Sequence, residues 1–414
     1  MGSRPDLVPI AREAWLYVLP LIEVANTRAK AAGFDGGPNS FAHMQNLADH
    51  RMRAVTTPNN DTLYSSAQID LSAGSVTITL PSSGERYLSV ALMDAFTNNF
   101  AVLGTRTTGP DGGVFRLVGP FDAAEGENVV RSPTPQVWAL GRVLVDGPDD
   151  LEAARAVQGG IAAQGPARAA WESVPHRSAP WRDYFAAASR LLAQNPPPAT
   201  DRALLARIAP LGLEGGRFDP QAFDDFEGGM IEDGIAEARR SLRGGGIGAS
   251  IIDGWMYPEA ELGDFGQAYH YRAQVAVAGL AALPPAEAMY MRAIGPERGL
   301  FYGTRDWRLT FAAGEWPPVD SFWSLTLYEA TADGQFFFCD NSLRRYAIGD
   351  RTVGLTPDTD GSLTIHIGHA RPREGEGNWL PAPAGPFALF MRAYLPQRAL
   401  LSGRYRLPAI EAVA

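Results

Sequence analysis

Val76-Thr77-Ile78-Thr79-Leu80-Pro81-Ser82-Ser83-Gly84-Glu85-Arg86-Tyr87-Leu88-Ser89-Val90-Ala91-Leu92 is the stretch from which the fold is read. In residues 76–80 apolar and polar side chains alternate, the period of two of a half-buried strand. Residues 87–92 form a second strand-like run, and Pro81-Ser82-Ser83-Gly84 between them reads as a hairpin-type turn. Working outward, residues 114–118 and 136–145 repeat the pattern at intervals of roughly ten residues, with Gly and Pro between them. That spacing indicates a sandwich or a barrel.

Upstream the period changes. Leu7, Ile10, Ala14, Tyr17, Val18, Leu21, Val24 and Ala25 recur at helical spacing. They predict an amphipathic helix over 7–30, kinked or stepped near Pro20 and stopped by Gly33 to Pro38. Downstream, residues 149–295 are rich in Ala, Arg and Leu. Asp149, Asp150 and Glu152 open a helix where the macrodipole favours acids. Residues 183–193 and 201–208 read as helices separated by Pro196-Pro197-Pro198, and Gly244-Gly245-Gly246 as a loop or hinge. Residues 269–283 read as a long apolar helix ended by Pro284-Pro285. After Tyr302 the strand signal returns at 307–311, 322–328, 363–367 and 387–394. The expected fold is mainly β with a helical middle segment: a helix over 1–34, a sandwich over 35–148, a helical connection over 149–299 and a second sandwich over 300–414. The two β halves show no clear self-similarity in sequence.

Composition narrows the function. At 414 residues two domains are expected, and 45% hydrophobic with 20% charged residues is the make-up of a globular protein. The formal charge of -10 repels phosphate backbones, so no nucleic-acid partner is expected. No apolar run reaches the length of a membrane span. Met1-Gly2-Ser3-Arg4-Pro5 does not read as a signal peptide, so a cytoplasmic protein is expected, or a periplasmic one if a leader was removed. Cys339 is the single cysteine, so no internal disulfide forms; after Phe336-Phe337-Phe338 it reads as a buried structural thiol. Homo-oligomerisation is left open.

Asn39-x-Phe41, Thr57 to Tyr64, Thr97-Asn98 and Gly104 to Gly109 resemble the N-terminal member of a paired bacterial family, domain of unknown function 1254. Tyr302, Pro317 to Leu325, Asn341, Arg345-Tyr346, Gly361-Ser362-Leu363 and Asn378 to Pro383 resemble its usual partner, number 1214. The resemblance spans nearly the whole chain. It implies two jelly-roll-like β-sandwich domains with helices between or around them, and says little about reaction.

The candidate site residues gather in the N-terminal half. Pro58 fixes a turn, after which Asn59, Asn60 and Asp61 either cap backbone groups in an Asx-type turn or meet a ligand. Asp61 would be a general base or anchor, with His43 and Arg53 as its expected partners and Tyr64 beside it. Asp94 and Asn98 follow a strand end, and Arg106 lies in a Thr-rich turn. Arg142 sits in an apolar strand, where a charge requires a carboxylate or a ligand. Asp61–Arg142 and Asp94–Arg106 bridges are one reading and an anion clamp is the other. The histidines are scattered and only His366 and His369 are close, so no metal and no cofactor are expected. Ser65, Ser66, Ser321 and Ser324 lack a nucleophile elbow. Trp323, Tyr328, Asn341, Arg345, Tyr346, Asn378 and Trp379 mix aromatics with amides and guanidinium, either as a stacking surface or as ordinary loop clamps. The leading expectation is a metal-independent enzyme for a small polar organic substrate, by hydrolysis or elimination. His43, Asp61 and Tyr64 would do the chemistry, and Asn59, Asn60, Asp94, Asn98, Arg106 and Arg142 the binding. The alternative is a non-catalytic protein for carbohydrate or another polyhydroxy ligand.

Overall fold

The computed structural model describes residues 6–31, 37–168, 171, 173–243, 248–373 and 375–413. The chain is mainly β with a helical middle region. Its first nine strands are β1 (Ala42–His43), β2 (Thr62–Asp70), β3 (Val76–Leu80), β4 (Leu88–Asp94), β5 (Asn99–Gly104), β6 (Gly113–Val118), β7 (Val129–Arg131), β8 (Gln136–Leu144) and β9 (Ala162–Gln164). They form a five-stranded sheet, β1-β2-β8-β4-β5, and a four-stranded one, β7-β6-β3-β9. Leu63, Ile69, Val90, Leu92, Ala139 and Val143 of the first meet Val76, Ile78, Phe115 and Leu117 of the second in one core.

Residues 76–92 therefore do not form the expected hairpin. β3 pairs with β6 and β9, whereas β4 pairs with β5 and β8. Pro81 to Gly84 carries the chain from one sheet across to the other. β3 buries one face and β4 both, yet each turns a face into the same core from opposite sheets, and two short apolar runs around a turn read the same in that arrangement as in a hairpin.

The C-terminal strands are β10 (Gly248–Ile252), β11 (Trp255–Pro258), β12 (Ala288–Ala293), β13 (Phe301–Tyr302), β14 (Trp307–Phe311), β15 (Val319–Ala330), β16 (Phe336–Phe337), β17 (Ala347–Gly349), β18 (Leu363–Gly368), β19 (Trp379–Pro381), β20 (Pro386–Pro396) and β21 (Ile410–Ala412). An eight-stranded sheet runs β10-β11-β12-β20-β15-β16, with β13 on β20 and β17 on β15; a four-stranded sheet runs β19-β18-β14-β21. Trp255, Met291, Trp323, Leu325, Leu389 and Met391 pack on Trp307, Leu309, Phe311, Ile365 and Ile367. Each such wholly buried side chain contributes roughly 1.5–3 kcal/mol.

The stretch 149–299 is less uniformly helical than its composition predicts. It supplies β9 to the first sandwich and β10, β11 and β12 to the second. Its helices are α2 (Leu151–Gln158), α3 (Trp181–Gln194), α4 (Arg202–Ile208), α5 (Asp225–Ser241) and α6 (Tyr269–Ala278), following α1 (Leu7–Ala31) and preceding α7 (Arg398–Leu401). The expected glycine hinge at 244–246 and most of the predicted stop after α1, residues 32–36, lie outside the described residues. α1 runs through Pro20 as one helix, and residues 14–22 are buried all round rather than on one face. α3, α4, α5 and α6 enclose it, with Trp15, Tyr17, Leu19 and Ile22 in their shared core.

α6 ends five residues earlier than the predicted 283. Residues 279–283 form a strap in which Ala281 takes a left-handed φ of 68°. Helix propensity is overridden there because the strap's polar groups serve the sheets beneath it: Asn99 Nδ2 donates to the Ala282 carbonyl at 3.0 Å and Arg142 Nη2 to the Ala281 carbonyl at 3.0 Å.

The outer faces of the two large sheets meet along a seam. Tyr87, Ala91, Val102 and Leu144 pack there against Leu283, Ala288, Phe322, Tyr394 and Leu395. Phe322 and Tyr394 stack with centroids 4.2 Å apart.

Candidate functional site

Side chains alternate across a strand, so each large sheet turns one set inward to its own core and the other toward the seam. On the N-terminal sheet, Tyr64, Arg142 and Ser89 lie in one row across β2, β8 and β4. On the C-terminal sheet, Tyr290, Arg392 and Ser324 lie in one row across β12, β20 and β15.

Arg142 is 3% exposed. Its ring neighbour is Tyr64, whose centroid lies 5.2 Å from the guanidinium carbon. Among the described residues the Ala281 carbonyl is its one hydrogen-bond acceptor, and Nε and Nη1 have none. Burial works against its charge, and the phenols of Tyr64, Tyr290, Tyr394 and Tyr87 work for it, with a net upward shift. Buried guanidinium groups ordinarily have their N–H groups satisfied.

Arg392, 5% exposed, is better supplied. Nη1 donates to Thr326 Oγ1 at 2.7 Å, and Nη2 to Tyr328 Oη at 2.7 Å and to the Thr57 carbonyl at 3.2 Å. Burial pushes the Tyr328 phenol up to about 12 and Tyr394 and Tyr290 upward as well, so all three stay neutral and able to donate. Tyr290 keeps some accessible surface and stands in the same row as Arg392 on the seam face of its sheet.

Two ion pairs cross the seam. Asp61 accepts from Arg351 Nη2 at 3.1 Å and from Ser324 Oγ at 2.7 Å. Glu287 accepts from Arg106 Nε at 2.6 Å and from Tyr87 Oη at 2.8 Å. In both pairs the carboxylate and the guanidinium come from opposite halves of the chain.

Residues 38–165 match the family described as protein of unknown function (DUF1254), and residues 287–398 the one described as protein of unknown function (DUF1214). This is a DUF1254–DUF1214 protein. The fold is similar to that of the VPA0106 protein from Vibrio parahaemolyticus, with 23% identity and a TM-score of 0.74 over 98% of this chain and 100% of that one. A protein from Burkholderia cenocepacia aligns at 14% identity and a TM-score of 0.46, over 96% of this chain and 87% of that one. No curated protein matches the chain.

The structure brings Asn59, Asp61, Tyr64 and Arg142 to the seam. Asn59 takes the Asx-turn role read from the sequence, its Oδ1 accepting from the Asp61 N–H at 2.6 Å, while its Nδ2 donates to Tyr394 Oη at 2.6 Å. Asn60 points away and donates to the Ala48 carbonyl. Neither expected partner of Asp61 is found beside it. Arg53 pairs with Glu329 at 2.8 Å, and His43 Nδ1 lies 2.8 Å from Ser65 Oγ. Tyr64 and Ser65 are successive strand residues, so they face opposite sides of the sheet, and His43 goes with Ser65 toward the sandwich core. Burial lowers the His43 pKa, favouring a neutral ring. A His–Ser contact suits nucleophile activation, but Ser65 is wholly buried and cannot meet a substrate.

The expected Asp61–Arg142 and Asp94–Arg106 bridges are replaced by Asp61–Arg351 and Arg106–Glu287. Asp94 caps its own turn, accepting from the Phe96 and Asn98 N–H groups at 2.8 and 2.9 Å, while Asn98 Oδ1 accepts from the Phe265 N–H at 3.1 Å. Burial lifts the Asp94 pKa to about 6.

In the DUF1214 half, Arg345 Nη1 clamps the Glu376, Gly377 and Trp379 carbonyls, and Asn378 ties Thr356 to Thr364. These contacts order the long loop before β20. Tyr346 reaches His50 at 2.8 Å, and Trp323 lies in the core. Cys339 is half-buried, and burial pushes its thiol up to about 11. Among the described residues no three His, Cys, Asp or Glu side chains converge, and no helix is long and apolar enough to cross a membrane.

Sequence reading missed Glu287, Tyr290, Arg351, Arg392 and Tyr394. Arg392 had a signal available: like Arg142, it is a charge inside an apolar strand.

Proposed function

We propose that this protein binds a small polar organic anion in the seam between its two large sheets, through a carboxylate-type group held by Arg142. The observation that carries the reading is the Arg142 guanidinium, 3% exposed with a single protein acceptor among the described residues. A planar fork with free N–H groups in a buried setting matches a carboxylate. The surroundings are rich in donors: the phenols of Tyr64, Tyr290, Tyr394 and Tyr87 stand near Arg142, and Asp61 is already engaged by Arg351 and Ser324. Such a site favours an acceptor-rich anion over a carbohydrate, whose hydroxyls also need acceptors. Two buried guanidinium groups also repel a metal ion, in keeping with metal-independent action.

A catalytic reading rests on Tyr64. It stacks on Arg142, and its hydroxyl has no protein partner among the described residues. A phenol so placed can give a proton in an elimination. Hydrolysis is less favoured, because Asp61 is occupied and His43 lies on the other face of the sheet.

Thermal-shift titration with acetate, benzoate and succinate, with glucose as control, tests the proposal. At least one carboxylate should raise the melting temperature of the wild-type chain and not that of Arg142→Met. A carboxylate that stabilises both equally, or glucose acting where no carboxylate does, would sink the reading.

A further inference from the structure

The two sandwiches are wired alike. The order β1-β2-β8-β4-β5 in one large sheet is answered by β11-β12-β20-β15 in the other, with β16 and β17, both on β15, in the place of β5, and β7-β6-β3-β9 by β19-β18-β14-β21. Corresponding strands occur in the same order along the chain. Each four-stranded sheet holds one parallel pair, β6–β7 and β18–β19. In these pairs Arg116 faces Val129 and His366 faces Trp379, partners the same number of residues downstream.

The seam repeats the match residue by residue. Tyr64, Arg142 and Ser89 answer to Tyr290, Arg392 and Ser324 in register. Ser89 pairs with Gly104 and Ser324 with Gly349. At both glycines a Cβ would lie against the preceding strand's backbone, 2.2 Å from the Leu88 carbonyl oxygen and 2.1 Å from that of Trp323. Two residues after these glycines come Arg106 and Arg351, and three residues before the tyrosines come Asp61 and Glu287. The Val145 N–H donates to the Asp61 carbonyl and the Leu395 N–H to the Glu287 carbonyl, each at 3.0 Å.

The bridges are reciprocal: Arg106 of the first half holds Glu287 of the second, and Arg351 of the second holds Asp61 of the first. The carbonyls on the two buried guanidinium groups are reciprocal too. Ala281, with φ of 68°, serves Arg142, and Thr57, with φ of 49°, serves Arg392. When residue i meets j′ and j meets i′, the surfaces are related by a twofold axis. The seam is a pseudo-twofold interface between two copies of one sandwich on a single chain.

The copies differ at one point that matters chemically. The register that sets Ser89 against Ser324 sets Ala91 against Thr326 and Met93 against Tyr328. Thr326 and Tyr328 supply the oxygens that fill the Nη1–Nη2 edge of Arg392. Ala91 and Met93 have no oxygen to offer Arg142.

We propose that Arg142 is the open copy of a duplicated site, and that its ligand is a carboxylate whose two oxygens take the places that Thr326 Oγ1 and Tyr328 Oη hold on Arg392. This rests on the Arg142 reading above and adds which edge of the fork is used, end-on, and how many ligands are taken, one per chain. Amines and polyols are poor fits, since the position asks for two acceptors side by side.

Calorimetric titration with acetate tests it. The wild-type chain should bind one acetate. Ala91→Thr/Met93→Tyr copies the closed position into the open one and should weaken acetate binding by roughly tenfold or more. Thr326→Ala/Tyr328→Met does the reverse and should raise the stoichiometry to two. Should either doubly substituted chain fail to fold, Ala91→Thr or Thr326→Ala alone carries the same expectation. Acetate bound as tightly after Ala91→Thr/Met93→Tyr, or one acetate per chain after Thr326→Ala/Tyr328→Met, would overturn the inference and leave the Arg142 reading standing. No acetate bound by the wild-type chain, and none gained when the Arg392 position is opened, would defeat both.

Discussion

Arg142 and Arg392 hold equivalent places on two facing sheets, and their surroundings differ in kind. Arg392 has three acceptors and locks Thr57, Thr326 and Tyr328 together. Among the described residues Arg142 has one acceptor, on a strap with a strained turn. Burial alone therefore does not distinguish the two guanidinium groups; the count of acceptors does.

The sharpest test of that comparison concerns the bridges, which should behave as a matched pair. Asp61→Ala and Glu287→Ala each take the cross-seam carboxylate from a partly buried guanidinium, and each should cost about 3 kcal/mol in denaturant melts. A cost confined to one of them would break the proposed equivalence of the halves. Next come the arginines themselves. Arg392→Met should lose about 2 kcal/mol, because hydrogen bonds from a charged donor disappear, whereas Arg142→Met should be near neutral or slightly stabilising. Equal losses would erase the distinction between the two positions.

A smaller effect lies in acid. Asp350 precedes Arg351, where Thr105 precedes Arg106 in the other half, and burial lifts the Asp350 pKa to about 6. The folded state then holds a proton that the unfolded chain has already released above about 4. Stability should fall as pH rises from about 4 to about 6, by roughly 1–2 kcal/mol from this group. Asp350→Asn should remove that slope from the variant's own pH profile, so that the stability gain over wild type grows from about pH 4 and is full above about pH 6. The smallest effect is expected at His43. His43→Gln should change stability by less than about 1 kcal/mol and leave carboxylate binding unchanged, since its ring faces the opposite side of the sheet. Loss of binding there would return His43 to the site.

Much of this architecture is legible in the sequence because one-sided burial leaves a period of two, as in Val76 to Leu80. Which sheet a strand joins is not legible, and the segment Pro81 to Gly84 shows why: a crossing between sheets and a hairpin share one pattern. Composition misleads at 279–283, where Leu280 and Ala281 favour helix but their backbone groups are needed by the facing sheet. Arg142 could be singled out as a charge in an apolar run; its shortage of acceptors could not, because Ala281 lies far along the chain. The duplication escaped sequence reading since the matching residues, Tyr64 and Tyr290, Ser89 and Ser324, Arg142 and Arg392, stand at offsets that change with each intervening loop.

The reciprocal bridges have a consequence for inheritance. In a dimer of identical chains every substitution at a twofold seam appears twice, so both arginines would be open or both closed. Joining the copies in one polypeptide lifts that restriction. Thr326 and Tyr328 can then brace one side while Ala91 and Met93 offer no oxygen on the other, and a single gene can change the two faces of the seam independently.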